Sequence, residues 1–187
     1  VERPAPAIYE LTAIPEFGAF MLFAPWLTTA PRGTGRRVLV LPGFTAGDVS
    51  TAPLRLALRA LGHRPSPWGL GLNVGPDDET VRQLLRLLER LYKQNGGPID
   101  IVGWSLGGIM ARLLALHHPD RVRQVISLGS PIRIEDPQAN VSDAVRRLAQ
   151  LSGLQRNRRG HDLTEVPVPS TVIFSRQDGV VAAVLAD

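Results

Sequence analysis

The chain has 187 residues, a length typical of a single domain with a sizeable core. It contains no cysteine, which excludes disulfides and thiolate metal sites in this chain. The net charge of +4 is modest, and the densest basic stretch, residues 146–159, has no interleaved aromatic side chains. We therefore interpret that stretch as a solvated face, with an anionic partner as the alternative, and expect no nucleic-acid partner.

The first 35 residues are interpreted as an apolar, helical extension of the domain. Acidic and proline residues among the first six do not fit a secretory signal peptide. Residues 17–30 are uncharged and apolar, but this stretch is too short to span a bilayer and Pro25 interrupts it. A buried or cap-forming helix and a cytoplasmic protein are therefore expected. A membrane-surface segment, or the remnant of a longer apolar anchor, is the alternative.

Apolar strands alternate with helices after residue 36. Short apolar runs predict buried strands at 38–41, 99–102, 122–128 and 171–174, with a short extended piece at 63–68. Apolar residues at helical spacing predict helices at 51–61, 77–92 and 106–118, and a further helix at 141–151 inside a variable insertion, 131–165. The alternation predicts a single α/β domain with a doubly wound, mostly parallel sheet. In such sheets, ligands bind beyond the carboxyl ends of the strands.

The most informative segment is residues 99–108, where an apolar strand leads directly into Gly-Trp-Ser-Leu-Gly and then an apolar helix. This strand–turn–helix context is typical of a nucleophile elbow, in which the serine lies on a tight, strained turn. Gly103 and Gly107 flank Ser105 because side chains there would clash where strand and helix approach closely. A Ser/Gly turn that merely joins the two elements is the alternative. Ser105 is therefore the leading candidate for a nucleophile.

Two further landmarks complete a family pattern. Leu-Pro-Gly-Phe follows the first strand at 41–44, and Ser-Arg-Gln-Asp-Gly-Val-Val follows the last strand at 175–181. With the elbow, these segments make the chain resemble the α/β-hydrolase superfamily, in its serine esterase or lipase branch, over residues 36–181. The resemblance implies attack of Ser105 on an ester carbonyl, release of the acyl-enzyme by water, and no metal or organic cofactor.

The resemblance also assigns roles to other residues. Asp178 would orient the catalytic base, unless it is only a turn residue in Gln-Asp-Gly. The backbone N–H groups of Phe44 and Leu106 would form the oxyanion hole. The candidate substrate-pocket residues are Trp68, Asn73 and Trp104, with core packing as the alternative for the tryptophans. Met21, Phe23 and Trp26 are weaker candidates for covering an acyl group.

A small-molecule ester or a lipid-like ester is the expected substrate, and membrane association is only weakly supported. An acyltransferase or a thioesterase would use the same machinery. A non-catalytic binding domain that keeps the elbow as scaffold belongs to a different class of function. The sequence does not distinguish acyl lengths, since the fold supports many chemistries.

The family pattern requires a histidine after the acid, and none of the four histidines follows Asp178. We expect the base, and the final strand–helix unit of the sheet, to lie beyond Asp187, which makes the domain carboxyl-terminally incomplete. The alternatives are that His161 serves as the base or that the base has been lost. His117 and His118 are interpreted as capping the end of the helix that follows the elbow.

Overall fold

The computed structural model of the protein describes residues 29–75, 77–130 and 165–173. The described strands form one parallel sheet in the order β2-β1-β3-β4-β5. The strands are β1 (Arg37–Leu41), β2 (Arg64–Ser66), β3 (Ile99–Trp104), β4 (Val122–Leu128) and β5 (Ser170–Ile173). The described helices are α1 (Asp48–Ala60), α2 (Asp78–Asn95) and α3 (Leu106–His117).

Helices cover both faces of the sheet, so the predicted doubly wound α/β fold is confirmed. Leu39 and Ile101 belong to one buried cluster with the leucines of α2 and the apolar residues of α3. Val40 and Val102 belong to a second cluster, against which Leu54 of α1 packs. Successive residues of each strand point to opposite faces. The continuous apolar runs of β1 and β3 are therefore explained by burial on both sides.

Helix α2 extends three residues beyond the predicted 77–92 because its ends are set by capping groups and not by apolar spacing. The side chain of Asp77 accepts a hydrogen bond from the Thr80 N–H, 2.7 Å between nitrogen and oxygen, at the start of the helix. Gly96 adopts the left-handed conformation, φ 70°, that ends the helix after Asn95. Four leucines form its buried stripe: Leu84, Leu87, Leu88 and Leu91.

The other boundaries differ from the predictions by a few residues. Helix α1 begins at Asp48, earlier than the predicted residue 51, because its first turn is polar. Strand β5 is Ser170–Ile173 where 171–174 was expected. The predicted helix at 141–151 lies outside the described residues, as do most of the amino-terminal extension and the insertion. No helix in the described part of the chain is long and apolar enough to cross a membrane.

The register of the two central strands positions the site. Strand β1 pairs in parallel with β3, with Val38 opposite Asp100 and Leu41 opposite Gly103. The last residue of β1 therefore lies level with the glycine two residues before Ser105. We call the end of the sheet where these strands finish the carboxyl edge, and the opposite end the amino edge. The turn after β1, residues 42–47, and Ser105 both lie at the carboxyl edge.

Candidate active site

Ser105 occupies the turn between β3 and α3. Its backbone angles are φ 51° and ψ −119°, and its N–H donates to the Leu128 carbonyl at 2.8 Å. A positive φ is disfavoured in a residue with a side chain, because Cβ crowds the neighbouring carbonyl. Such strain persists only where the surrounding structure enforces it, and it is common at active sites. The strained turn expected at this serine is therefore present.

Two glycines allow this turn to form. A Cβ atom built on Gly103 would lie closer than 3.0 Å to the Gly107 carbonyl, and one built on Gly107 would lie closer than 3.0 Å to the Leu41 carbonyl. Both obstacles are backbone atoms, which cannot rotate away as a flexible side chain can. The expected clash at Gly103 and Gly107 is confirmed. Helix α3 thus lies directly against the ends of β3 and β1.

The turn after β1 lies beside Ser105 and carries Phe44. A Cβ built on Gly43 would be 3.4 Å from the Ser105 Cβ. Thr45, the next residue after Phe44, has φ 57°, the second positive φ of a non-glycine residue among those described. The Ala46 N–H donates to the Gly43 carbonyl at 3.2 Å and closes the turn around Phe44. Phe44 is therefore held within a strained turn next to the serine.

The two proposed oxyanion donors belong to the residue after Ser105 and to the neighbouring turn. Leu106 is the first residue of α3, where backbone N–H groups have no partner within the helix and the helix dipole is positive. Across residues 29–75, 77–130 and 165–173, neither the Leu106 N–H nor the Phe44 N–H donates to a described acceptor. Both groups can therefore donate to an oxygen developing negative charge, and the oxyanion role stays a prediction.

The predicted pocket residues separate into exposed and buried ones. Trp104 is 45% exposed, and its ring lies 3.3 Å from the position that a Cβ on Gly43 would occupy. Phe44 is 40% exposed, so apolar surface flanks Ser105 on the side of the turn. Trp68 is 1% exposed and Asn73 is 0% exposed. The pocket role stays a prediction for all three pocket candidates, and the exposure supports it only for Trp104.

Trp68 packs in the core, and its loop is bonded to Asp48, a contact that the sequence did not predict. Its indole N–H donates to the Gly71 carbonyl at 2.8 Å, which satisfies the polar atom of a buried ring. The carboxylate of Asp48, at the start of α1, accepts from the backbone N–H groups of Trp68 at 3.0 Å and Gly69 at 2.9 Å. Asp48 therefore fixes the loop after β2 to the helix after β1. An aspartate in a first helical turn gives no signal of so distant a partner.

The remaining candidate residues lie outside the described part of the chain or far from Ser105. Asp178, His161, Met21, Phe23 and Trp26 lie outside the described residues. Of the described histidines, His117 ends α3 and His118 follows it, about 18 Å along the helix from Ser105 at 1.5 Å per residue. His63 lies against Gly33 at the amino edge. None of the described histidines therefore lies beside Ser105.

Charged groups at the start of α2 stabilise that helix. The Thr80 side chain and N–H donate to Asp77 and lower the pKa of its carboxyl below the ordinary value. Hydrogen bonds from Gln83 and Arg82 likewise lower the pKa of Glu79, and Glu79 raises that of Arg82. These groups are exposed, and Arg82 and Glu79 form an ion pair at 2.7 Å. Over the described part of the chain, no cluster of three His, Asp or Glu residues could hold a metal ion.

A family model described as the alpha/beta hydrolase fold matches residues 38–166. The chain belongs to the α/β-hydrolase family. The match begins at the second residue of β1 and ends before β5, so it covers β1 to β4 and the turn at Ser105. The family assignment made from the sequence motifs is confirmed.

Individual α/β-hydrolases match over shorter stretches. A pimeloyl-[acyl-carrier protein] methyl ester esterase from Neisseria meningitidis is 30% identical over 95 residues, 50% of this chain and 37% of that protein. A 2-hydroxymuconate semialdehyde hydrolase from Pseudomonas putida is 31% identical over 127 residues, 62% of this chain and 44% of that protein. Lipase LipV from Mycobacterium tuberculosis is 35% identical over 75 residues, 40% of this chain and 26% of that protein. The chain spans less than half the length of each of these relatives.

Solved structures show the same fold at lower identity. A monoacylglycerol lipase from Paleococcus ferrophilus superposes with a TM-score of 0.56 at 16% identity, over 82% of this chain and 79% of that one. A hydrolase from Pseudomonas aeruginosa superposes with a TM-score of 0.53 at 16% identity, over 84% of this chain and 78% of that one. At such identities the likeness establishes the fold of this α/β-hydrolase and not its substrate.

Proposed function

We propose that this α/β-hydrolase is a serine-dependent carboxylic ester hydrolase with Ser105 as its nucleophile. The observation that carries the proposal is the Ser105 backbone, which has a positive φ between β3 and α3. The close backbone approach at Gly103 and Gly107 enforces that conformation. A joining turn with no chemical role has no need of a strained serine at the carboxyl edge of the sheet.

In the proposed reaction, the Ser105 hydroxyl attacks the ester carbonyl while a base removes its proton. The Phe44 and Leu106 N–H groups donate to the oxyanion of the tetrahedral intermediate. Collapse of that intermediate breaks the bond to the alcohol, which leaves with the proton held by the base. Water then attacks the acyl-enzyme by the same route and releases the carboxylic acid and Ser105.

The proposed base is a histidine outside the described residues, oriented by Asp178. A serine hydroxyl is a weak nucleophile at neutral pH, so the mechanism requires such a partner. His161 and a histidine beyond Asp187 are the two candidates. Reading the coding DNA past the Asp187 codon shows whether the second candidate exists. If the gene encodes no histidine there, His161→Ala becomes the variant that tests the base.

The proposed substrate is a small-molecule ester or a lipid-like ester. Two of the relatives are named as a methyl ester esterase and a lipase, which supports ester hydrolysis over other reactions of the fold. The exposed apolar surfaces of Trp104 and Phe44 flank Ser105 and could contact an acyl chain. Apolar side chains with a few placed polar groups are typical of ligand pockets.

The proposal is tested on the protein expressed from its complete reading frame. A fluorophosphonate reagent forms a covalent bond only with an activated serine, and mass spectrometry locates the modified residue. We expect labelling of Ser105 in the unaltered protein and none in Ser105→Ala, whose hydrolysis of p-nitrophenyl esters falls at least about 1,000-fold. The control Ser50→Ala removes an exposed hydroxyl from the same edge of the sheet and should label normally.

The same experiment separates the competing functions. An unaltered protein that folds but neither labels nor hydrolyses esters would be a non-catalytic scaffold, and the proposal would fail. Full ester hydrolysis in Ser105→Ala would exclude Ser105 as the nucleophile. Transfer of the acyl group to an added alcohol or thiol in preference to water would identify an acyltransferase that uses the same acyl-enzyme.

A further inference from the structure

Asn73 is a completely buried polar residue at the carboxyl edge, in the loop that follows β2. Its side-chain nitrogen Nδ2 donates to the Pro42 carbonyl at 2.8 Å and lies 3.5 Å from the sulfur of Met110. Its oxygen Oδ1 accepts from the Gly75 N–H at 3.2 Å. Each end of the amide thus has a partner, as a buried polar side chain requires. A side chain that is completely buried and bonded in this way is not exposed to a bound substrate.

The main chain of Asn73 bonds to the same turn. The Thr45 N–H donates to the Asn73 carbonyl at 2.7 Å, and the Asn73 N–H donates to the Ala46 carbonyl at 2.8 Å. With the side-chain bond to Pro42, one residue holds the turn on both sides of Phe44. The main-chain bonds are independent of residue type, so the bond to Pro42 is the contribution of the asparagine side chain.

The bond to Pro42 matters because it fixes the peptide plane that precedes Gly43. The Pro42 carbonyl belongs to the peptide plane before Gly43, and the Phe44 N–H belongs to the plane after it. Glycine tolerates rotation about its backbone bonds, so nothing in Gly43 itself relates the two planes. The second plane also contains the Gly43 carbonyl, which accepts from the Ala46 N–H at 3.2 Å within the turn. The Asn73 bond fixes the first plane, so together the two bonds set the direction of the Phe44 N–H relative to β1.

We infer that Asn73 is a positioning residue for the reaction. Its side chain orients the Phe44 N–H toward the oxyanion through the bond to the Pro42 carbonyl. The inference rests on the proposed function, since it assumes that this N–H stabilises an oxyanion. It replaces the interpretation of Asn73 as a pocket residue, which the complete burial of its side chain does not support.

The test uses Asn73→Asp, which preserves the shape and the acceptor toward Gly75 but removes the donor toward Pro42. The matched control is Asn95→Asp at the amino edge. The Nδ2 atom of Asn95 also donates to backbone carbonyls, those of Gly97 at 3.2 Å and Pro98 at 3.1 Å. The two substitutions are chemically identical, and only the first touches the turn that carries Phe44.

The readouts are the steady-state constants for a p-nitrophenyl ester and the rate of phosphonylation of Ser105. The oxygen of the phosphonyl group occupies the proposed oxyanion site, and the end point of labelling counts the folded sites. We expect Asn73→Asp to lower kcat and the labelling rate per site about 10- to 100-fold, with KM within about two-fold of the unaltered protein. Asn95→Asp should leave all three constants within about two-fold.

A pH series adds a readout that a purely structural role would not move. The introduced carboxyl donates to the Pro42 carbonyl only when it is protonated, and burial favours the protonated form. The kcat of Asn73→Asp, divided by that of the unaltered protein at the same pH, should therefore rise as the pH falls. The ratio for Asn95→Asp should stay constant over the same range.

Asn73→Ser, which adds no charge and is too short to reach Pro42, replaces the aspartate variant if that variant does not fold. A folded Asn73 variant that keeps kcat and the labelling rate within about two-fold of the unaltered protein overturns the inference. In that case Ser105→Ala still decides the proposed function independently. If the folded, unaltered protein is not labelled at all, the proposed function is refuted, and the inference with it.

Discussion

The two edges of the sheet are held together by different interactions. At the carboxyl edge, Ser105 and Thr45 have positive φ angles, and the turn between β1 and α1 is fixed mainly by hydrogen bonds to Asn73. The side chains that this edge exposes beside the serine, those of Trp104 and Phe44, are apolar. The carboxyl edge therefore combines a strained backbone with uncovered apolar surface.

At the amino edge, charged side chains join the elements. Arg123 at the start of β4 pairs with Asp100 of β3, and Arg121 pairs with Glu89 near the end of α2. Glu89 also pairs with Lys93 at 3.1 Å, one helical turn further along α2. Within the described residues, no positive φ of a non-glycine residue falls at this edge. Ion pairs between charged side chains therefore stabilise the amino edge.

The contrast between the two edges shows where this fold accepts backbone strain. Strained backbone at the carboxyl edge is held by close packing against β1 and β3, which the rest of the sheet keeps in register. Changes at the carboxyl edge should therefore alter activity, and changes at the amino edge should alter stability alone. Three variants with matched controls test this separation.

The largest expected effect is that of Gly107→Ala. The new Cβ would meet the Leu41 carbonyl closer than 3.0 Å, so α3 must move away from β1. We expect a loss of about 3–5 kcal/mol in the free energy of unfolding, together with loss of activity in whatever folds. The control is Gly96→Ala at the amino edge, where the added Cβ meets no atom within 4 Å. It should cost about 1–2 kcal/mol, from left-handed strain only.

Urea denaturation of both variants measures the two losses. Equal losses would mean that α3 can shift away from β1 at little cost. The elbow would then be a tolerant turn, and the strain argument for Ser105 would lose its structural basis.

Most of the fold and the elbow could be predicted because their signals are local. Apolar runs give the strands, and leucine spacing gives α2. The glycines around Ser105 reveal a close approach because no other residue fits there. The start of α1 was missed because Asp48 and its neighbours do not continue the apolar pattern.

The contacts that orient the site could not be predicted, because they join residues far apart in sequence. Asp48 bonds to the N–H groups of Trp68 and Gly69, and Asn73 bonds to the Pro42 carbonyl. Nothing in the spacing of these residues indicates which loop their side chains meet. The sequence therefore predicted Asn73 as a pocket residue and gave no sign that its side chain is completely buried against the Pro42 turn.

The second variant, Arg123→Gln, tests the amino edge. Its partner Asp100 has a side chain only 4% exposed, so removing the arginine charge leaves a buried carboxylate without its ion-pair partner. We expect a loss of about 1–3 kcal/mol, below the value for a fully buried pair because Arg123 is 32% exposed. The kcat per folded site should be unchanged.

The control is Arg121→Gln, whose partner Glu89 is 33% exposed and should tolerate the loss within about 1 kcal/mol. Denaturation and labelling on the same samples give stability and activity together. A lower labelling rate per site in Arg123→Gln would contradict the separation of the two edges.

The smallest expected effect is that of Trp104→Ala, and it should appear in selectivity and hardly at all in stability. The ring is 45% exposed and lies over the Gly43 turn, so an acyl chain bound at Ser105 would cover it. Each methylene removed from water contributes about 0.8 kcal/mol, roughly four-fold in binding. We expect kcat/KM to fall about 3- to 10-fold more for p-nitrophenyl octanoate than for the acetate.

The control is Leu56→Ala, which removes an exposed apolar side chain within α1 and should change kcat/KM for the two esters by the same factor. If Trp104→Ala also changed them equally, the tryptophan would act on the turn and not on the acyl chain, and the exposed apolar surface would have no part in choosing the substrate.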